Sequence, residues 1–479
     1  MSRPGRLNAA EVAAEFAGVS LGDARLDARV RRIAALAAAD PDESFPDQMG
    51  SVADREALYR FLANPKVTLA GVLAGHVART HARMAGRGVV RIVHDTTTFR
   101  FQGEREGLGV LRTGARGFLA HVALALAADE TREPLGVVGV RPYLHEEAAA
   151  HQGLTRQQRR AATMAKPRAA RESARWEQLA RRVAAALPPD VAAIHVMDQE
   201  ADDYAVLAAL HAADLRYVIR ACPTRRTSEA GLDVTTVLAR EPGTVFRTVP
   251  LTPRTARTKD RPRGRQPVRT EREAHLLVRW GTVHLRRTAY HETPVRTVTL
   301  HAVHVVEPAP PAGETPIEWM LFTSEPVATL AEATAVVDHY RARWVIEEYF
   351  KALKTGCAFE KRQLTSLAAL LRALALFLPL AWRLLVLRHL GRAPEPHAVD
   401  VVLDADQVHL LRALLARRRY TLPPAPTMRD AMLGVAALGG HIKNNGAPGW
   451  LVLGRGFTRL CEAEVGWRLA RVQTTCDQS

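Results

Sequence analysis

The chain has 479 residues, of which 47% are hydrophobic, and a formal net charge of +16. This length and apolar fraction exclude a disordered chain and allow two or three domains around a sizeable core. The excess of positive charge favours a polyanionic partner, because binding to phosphates releases counterions, and an anionic membrane surface is the competing interpretation.

Two further features concern the compartment. The apolar run around residues 366 to 388 is interrupted by Arg372, Pro379 and Arg383, so we predict a buried helix and no membrane partner. The N-terminus has no apolar signal core, and no two of the four cysteines stand at zinc-ligand spacing. We therefore expect a cytoplasmic protein without a disulfide framework.

Residues 1–70 are predicted to form short helices. Arg25, Arg29 and Arg32 recur at i, i+4 and i+7, which places a basic stripe along one helix. Ser51 is a candidate cap for a later helix that carries Arg60 and ends before Pro65. A solvated face is the alternative, but the net charge favours DNA contacts by Arg25, Arg29 and Arg60.

From residue 89 the pattern changes to strands. The β-branched run in "VVRIVHDTTTF" is predicted to end at Asp95, and the run in "VAAIHVMDQEADD" is predicted to end at Asp198. A helical segment over residues 171–187 lies between them, so this region is predicted to be α/β. Carboxylates that follow strands are typical of ligand sites in open sheets.

The α/β pattern ends at about residue 221. Residues 221–324 contain short β-like runs and a basic segment at 254–272. We interpret them as an inserted β subdomain with a cationic loop, the alternative for the loop being a disordered surface arm. From about residue 376 onward the sequence is predicted to be helical, with a Gly- and Pro-rich break before the last helix.

The stretch "HYRARWVIEEYFKALKTG", residues 339–356, sets adjacent carboxylates among several cations. On one continuous helix at about 100° per residue, four side chains share an arc of about 60° and Glu348 lies outside it. Those four are Tyr340, Arg343, Glu347 and Lys354. The alternative is a solvated helix with an ion pair between Glu347 and Lys351.

This stripe suits a phosphodiester held beside a metal. Glu347 would ligate the ion, and the cations, including Lys351, would face phosphate oxygens. Most of the basic residues in the chain are arginines. Three of its seven lysines nevertheless follow Glu347 closely, which suggests that this segment requires lysine in particular: Lys351, Lys354 and Lys361. One carboxylate cannot hold a catalytic Mg²⁺, so Asp95 and Asp198 are the expected companions.

With these motifs the sequence resembles the DDE transposases of bacterial cut-and-paste insertion sequences, in the branch that contains the transposon Tn-five transposase. The resemblance is carried by "DTTTF" at Asp95, "DQEADD" at Asp198 and the Tyr-x2-Arg-x3-Glu-x6-Lys signature that begins at Tyr340. Supporting matches include "LGDARLDAR", "YRFLANPKV", "RYVIR" and "GETPIEWMLFTSEPV". Gln199 departs from the family pattern, which commonly has Arg after the second aspartate.

The resemblance implies an α/β fold with a ribonuclease-H-like catalytic core over residues 71–375, containing the β insertion at about 221–324. An N-terminal helical DNA-binding domain (1–70) and a C-terminal helical dimerisation domain (376–479) would flank it. Asp95, Asp198 and Glu347 would be both the catalytic residues and the ligands of two Mg²⁺ or Mn²⁺ ions.

The implied partners are transposon-end inverted repeats, target DNA and a second copy of the chain in a synaptic homodimer. The implied reaction is nicking, hairpin formation, hairpin opening and strand transfer. Trp319 matches a tryptophan near a flipped base, with a core tryptophan as the alternative, and Arg220 matches a phosphate-contacting arginine. A catalytically silent end-binding relative and a structure-selective nuclease remain as rival functions.

Overall fold

The computed structural model describes residues 14–39, 41, 43–145, 153–229, 231–251, 253, 270–287, 293–442 and 446–476. The basic segment predicted at 254–272 lies almost entirely outside these residues. The described chain is a mixed α/β protein built on one large sheet with helices on both faces. It therefore agrees with the α/β class that the sequence predicts.

The N-terminal region is helical, as predicted. Its helices are α1 (Ala24–Ala39), α2 (Phe45–Gln48), α3 (Val52–Ala63) and α4 (Leu69–Met84). The predicted cap on α3 is confirmed, because the Ser51 side chain accepts a hydrogen bond from the Asp54 backbone amide. Leu58 and Phe61 on α3 are fully buried, so this helix is fixed by packing as well as by its cap.

One sheet contains all ten strands in the described residues. They are β1 (Val89–Phe101), β2 (Gly109–Val110), β3 (Arg116–Ala127), β4 (Pro134–Tyr143), β5 (Ala192–Met197), β6 (Arg216–Ala221), β7 (Thr244–Leu251), β8 (Arg272–Arg286), β9 (Thr297–Val306) and β10 (Glu318–Thr323). The order is β2-β3-β1-β5-β6-β10-β9-β8-β7, and β4 pairs with β3. Strands β5 and β6 run parallel to β1, whereas the remaining pairs are antiparallel.

The β-like runs predicted at 221–324 form strands that continue the central sheet. Strand β10 pairs antiparallel with β6 and with β9, so β7 to β10 extend the central sheet. The physical reason is that the β6 edge would otherwise expose unpaired backbone groups, which β10 satisfies. The sequence shows that these runs are strands but cannot show which edge they join.

The remaining helices cover the sheet and form the C-terminal region. They are α5 (Arg156–Ala165), α6 (Ala174–Ala184), α7 (Tyr204–Ala212), α8 (Val234–Leu238), α9 (Leu330–Arg341), α10 (Trp344–Lys351), α11 (Leu367–Leu390), α12 (Ala405–Ala416), α13 (Met428–Leu438) and α14 (Trp450–Cys476). A π-helical turn, Ala352–Gly356, follows α10, and 3₁₀ turns occupy Arg168–Ala170, Gln199–Ala201, Phe359–Lys361 and Val399–Val401.

Helix α11 is the central helix of the core. By length and composition it could cross a membrane, but 89% of its most apolar stretch is buried inside the protein. The indole of Trp382 on this helix donates a hydrogen bond to the Pro134 carbonyl at 2.9 Å, which fixes α11 against β4. The prediction of a buried helix is thus confirmed.

The C-terminal helices pack closely against the segment that carries the signature motif. A Cβ at Gly454 on α14 would lie 2.6 Å from the Gly356 carbonyl oxygen, so only glycine allows this approach. A Cβ at Gly439 would overlap the Val452 carbonyl, and one at Gly456 would overlap the Val435 carbonyl. Helix α14 therefore supports the π turn that follows α10.

Candidate active site

Asp95 and Asp198 lie at the same level of the sheet, Asp95 within β1 and Asp198 directly after β5. The prediction that the first strand ends at Asp95 is wrong, because β1 continues to Phe101 through its pairing with β3. The last parallel pair between β1 and β5 is Val93 with Val196, and each aspartate follows two residues later. The Asp95 Oδ1 accepts a hydrogen bond from the Thr96 amide at 2.7 Å. The Asp198 Oδ1 accepts one from the Glu200 amide at 2.9 Å and so caps the following 3₁₀ turn. The end of β5 thus sets the two carboxylates beside each other, where open sheets place their ligands.

Glu347 reaches the same place from helix α10. Arg343 donates from Nη1 to the Asp95 Oδ2 at 2.6 Å and from Nη2 to the Glu347 Oε1 at 3.0 Å. The guanidinium side chain is only 10% exposed, so both hydrogen bonds are largely shielded from water. One arginine therefore bridges two carboxylates that are distant in the sequence.

The three acids influence one another electrostatically. Burial raises the pKa of Asp95 to about 6, Arg343 opposes this shift, and the charges of Asp198 and Glu347 add to it. Burial also raises the pKa of Asp198. For Arg343, burial acts to lower the pKa, but the negative charges around it, first that of Asp95, raise it overall. The site therefore concentrates negative charge in a poorly solvated place, which favours a cation.

The donor chemistry fits a divalent ion of the Mg²⁺ type, because three carboxylates supply hard oxygen ligands. In the described residues, however, no group of three or more His, Cys, Asp or Glu side chains is close enough together to hold an ion. The guanidinium of Arg343 supplies the positive charge between Asp95 and Glu347 in this conformation.

The signature segment is not one continuous helix, which corrects the helical-wheel argument. Helix α9 ends at Arg341 and α10 begins at Trp344. The Ala342 amide is shared between the carbonyls of Asp338 and His339, and this tightening rotates the following residues. A single arc therefore cannot describe residues 340–354, because the helix axis is interrupted at Arg343 and again by the π turn.

Tyr340 lies on the buried face of α9 with Val336 and Val337, and so it packs into the core. Its side chain is 3% exposed, and its ring packs against Trp319 with the centroids 5.4 Å apart. In this conformation the Tyr340 ring supports Arg343, whose guanidinium carbon lies 6.0 Å from the ring centroid. Direct contact of Tyr340 with DNA would require a different packing. Trp319 is half-buried and packs against the main core as well.

Glu348 faces away from the aspartates, as the spacing predicts. It accepts hydrogen bonds from Lys351 at 2.7 Å, from the Trp450 indole at 3.0 Å, and from Arg388. The alternative of an ion pair between Glu347 and Lys351 is therefore wrong, since Lys351 pairs with Glu348. Glu348 instead ties α10 to α11 and α14.

The other predicted contacts lie on several elements. Lys354 donates from Nζ to the Thr98 carbonyl at 2.6 Å, and burial lowers its pKa. Arg220 on β6 is half-exposed beside the Glu318 carbonyl, at 3.5 Å. The structure therefore brings Lys354 to β1, the strand of Asp95, while Arg220 lies on the second strand beyond it.

The arginines predicted in the N-terminal region lie at the surface. The side chain of Arg25 is 91% exposed, and Arg29 on the same helix is half-exposed. Arg60 is exposed and pairs with Glu56 at 2.5 Å, while Arg32 is bonded to Asp54. These side chains belong to helices α1 and α3, away from the strands that carry the aspartates.

Sequence reasoning missed two residues beside the carboxylates. Trp344 is 56% exposed, and its ring centroid lies 5.7 Å from the Arg343 guanidinium carbon. Arg175 on α6 bonds to Thr96 at 3.3 Å and to Glu200 at 2.5 Å, so it joins β1 beside Asp95 to the 3₁₀ turn beside Asp198. The position of Trp344 inside the signature was a usable signal, whereas nothing near Arg175 in the sequence points to this role.

Two family models match this chain. Residues 9–67 match the family described as transposase DNA-binding, and residues 91–378 match the transposase DDE domain. Among solved structures, the cryo-EM structure of a piggyBac transposase synaptic complex with hairpin DNA is similar with a TM-score of 0.35 and 10% sequence identity. That match covers 81% of this chain and 76% of the other, and its low similarity supports no argument.

Proposed function

Because the chain belongs to the transposases with a DDE domain, we propose that it carries out cut-and-paste transposition at specific transposon ends. Asp95, Asp198 and Glu347 form the catalytic triad in this proposal. The observation that carries it is the arginine bridge between Asp95 and Glu347 at the strand end that also bears Asp198. In metal-assisted phosphoryl transfer, carboxylates such as these three would share the divalent ions.

The arrangement of the core strands supports a ribonuclease-H-like catalytic domain. Strands β4, β3 and β1 are antiparallel, and β5 and β6 follow parallel to β1. We assign this domain to residues 71–375, a DNA-binding domain to 1–70 and a dimerisation domain to 376–479. Within the family, we place the chain with the bacterial insertion-sequence transposases that carry the Tyr-Arg-Glu-Lys signature, acting in the cytoplasm on chromosomal or plasmid DNA.

Each residue of the site has a defined part in the proposed reaction. Two Mg²⁺ or Mn²⁺ ions, when bound by the triad, would activate the attacking oxygen and neutralise charge on the leaving oxygen. Arg343 and Lys354 would hold phosphate oxygens of the strand being cut. The exposed ring of Trp344 offers a stacking surface for an unpaired base, and stacking can offset the cost of extruding it.

The sequence of steps is proposed from the resemblance. Nicking frees a 3′-hydroxyl, which attacks the opposite strand to form a hairpin, and water reopens it before the ends join target DNA. Trp319 would support base extrusion through its packing on Tyr340. Arg220, Lys351 and the N-terminal arginines would contact phosphates in a synaptic homodimer.

The test is cleavage of a donor plasmid that carries the inverted repeats flanking the gene. Asp95→Ala, Asp198→Ala and Glu347→Ala should each abolish metal-dependent excision, and Glu273→Ala, at an exposed carboxylate on β8, is the matched control. Undiminished excision in any triad variant would remove that residue from the site. DNA binding by the wild type without any cleavage would favour the silent end-binding relative.

A further inference from the structure

Arg343 occupies the position where a metal ion would have to share two carboxylates. Its two bonds use Oδ2 of Asp95 and Oε1 of Glu347, at 2.6 and 3.0 Å. An ion shared by these two acids would lie beside the guanidinium that already binds both of them, and the two positive charges would repel each other in this poorly solvated place. Arginine and metal therefore compete for the position between the two carboxylates.

The guanidinium is not fully satisfied in this position. Its Nε is buried and has no hydrogen-bond partner among the described residues. A buried donor without a partner is costly, so an arrangement that satisfies more of the five guanidinium donors would be preferred where one is offered. A phosphate group provides such an arrangement, because its oxygens match the planar fork of arginine.

We propose that Arg343 is a latch, a guanidinium that excludes divalent ions from Asp95 and Glu347 until a DNA phosphate draws it away. This inference rests on the proposed function. In this exchange the incoming divalent ion takes over the neutralisation of Asp95 and Glu347, and the guanidinium pairs instead with the negative charge of the phosphate. Metal binding and DNA binding are then coupled, and each strengthens the other by the same factor.

The consequence is a protein that does not assemble a cleavage-competent metal site in the absence of DNA. Loss of the latch should therefore strengthen metal binding while weakening the contact with phosphate. A residue that only bound DNA would show the second effect without the first. Loss of a residue with a merely structural role would unfold the protein and would not strengthen its metal binding.

The experiment measures Mn²⁺ binding by electron paramagnetic resonance to the full-length, DNA-free protein, so no turnover is involved. Arg343→Gln removes the charge and keeps a similar shape. The matched control is Arg341→Gln, because Arg341 lies two residues away, is 45% exposed and pairs with Asp338 at 3.1 Å. The double variant Arg343→Gln/Glu347→Gln tests where the ion binds, and thermal melting verifies that each variant is folded.

Arg343→Gln should bind Mn²⁺ at least about tenfold more tightly than the wild type, since two charge-assisted hydrogen bonds no longer compete. Arg341→Gln should match the wild type, and the double variant should lose the gain. An equal gain in Arg341→Gln, no gain in Arg343→Gln, or a gain that persists in the double variant would each overturn the latch. The proposed function would survive all three results, since it fails only if triad variants still excise.

If Arg343→Gln does not fold, Arg343→Lys provides the same test with charge retained. Lysine presents one ammonium in place of the two-nitrogen fork, so it cannot bridge both carboxylates in the same way. We expect Mn²⁺ affinity between those of the wild type and the fully unlatched site. Affinity equal to or weaker than that of the wild type would overturn the proposal.

Discussion

Adjacent residues Glu347 and Glu348 should have opposite roles, and exchanging each for glutamine separates them. Glu347 shares Arg343 with Asp95, whereas Glu348 joins three helices through Arg388, Trp450 and Lys351. Glu347→Gln should abolish cleavage and leave the fold intact. Glu348→Gln should lower the free energy of unfolding and leave the chemistry of the folded fraction largely intact.

The expected magnitudes follow from the burial of the partners. Lys351 is 57% exposed, so its pair with Glu348 contributes about 0.5 kcal/mol or less. Arg388 is 12% exposed and would lose its carboxylate, which together with the weakened Trp450 hydrogen bond should cost about 2 to 3 kcal/mol.

In Glu347→Gln, Arg343 keeps Asp95 and the repulsion between carboxylates falls, so the free energy of unfolding should change by less than about 1 kcal/mol. Cleavage should fall by more than about a hundredfold. Mutating an outer-shell partner of a metal ligand typically reduces activity by about 10- to 100-fold, and losing the ligand itself should reduce it further.

Urea denaturation and donor-plasmid cleavage, measured on the same preparations, test this pair, and each variant controls for the other. The reasoning is refuted if Glu348→Gln loses cleavage as fully as Glu347→Gln while its denaturation midpoint stays at the wild-type value. It is also refuted if Glu347→Gln unfolds, since that would make Glu347 a structural residue.

Three further predictions concern the neighbouring side chains. Trp344→Ala should change the free energy of unfolding by no more than about 0.5 kcal/mol, because the ring is 56% exposed, yet slow cleavage; a strongly destabilised variant would contradict this. Trp319→Ala should slow hairpin formation more than first nicking on a sequencing gel, and equal slowing would favour a core role. At subsaturating metal concentration, cleavage should fall as pH drops through about 6, because Asp95 of the metal-free protein then takes up a proton that a metal ion must displace. Folded Asp95 keeps its proton to higher pH than unfolded Asp95. As pH rises from 4 to 6, the free energy of unfolding of the metal-free wild type, measured relative to that of Asp95→Asn, should therefore fall by up to about 3 kcal/mol. A difference between the two proteins that does not change with pH would exclude this pKa shift.

Several local features could be predicted because they depend on near neighbours in the chain. The Ser51 cap, the strands that carry Asp95 and Asp198, and the buried helix Leu367–Leu390 follow from capping chemistry, β-branched runs and apolar length. The opposite orientation of Glu348 also followed from its angle around the helix.

Other features could not be predicted because they depend on partners far along the chain. The β insertion joins the central sheet through β10 and β6, since hydrogen bonding across an edge is not encoded in either strand alone. Arg343 lies between α9 and α10 and binds Asp95, 248 residues away, which a helical wheel of residues 340–354 cannot show.

The sequence by itself determined which chemical groups are present: three acids in strand and helix contexts, a cationic signature and a strongly basic chain. Only the tertiary structure decided that a guanidinium stands between two of those acids and that an exposed indole lies beside it. The physical reason is that propensity and periodicity act over a few residues, whereas charge pairing and burial depend on distances that folding alone sets.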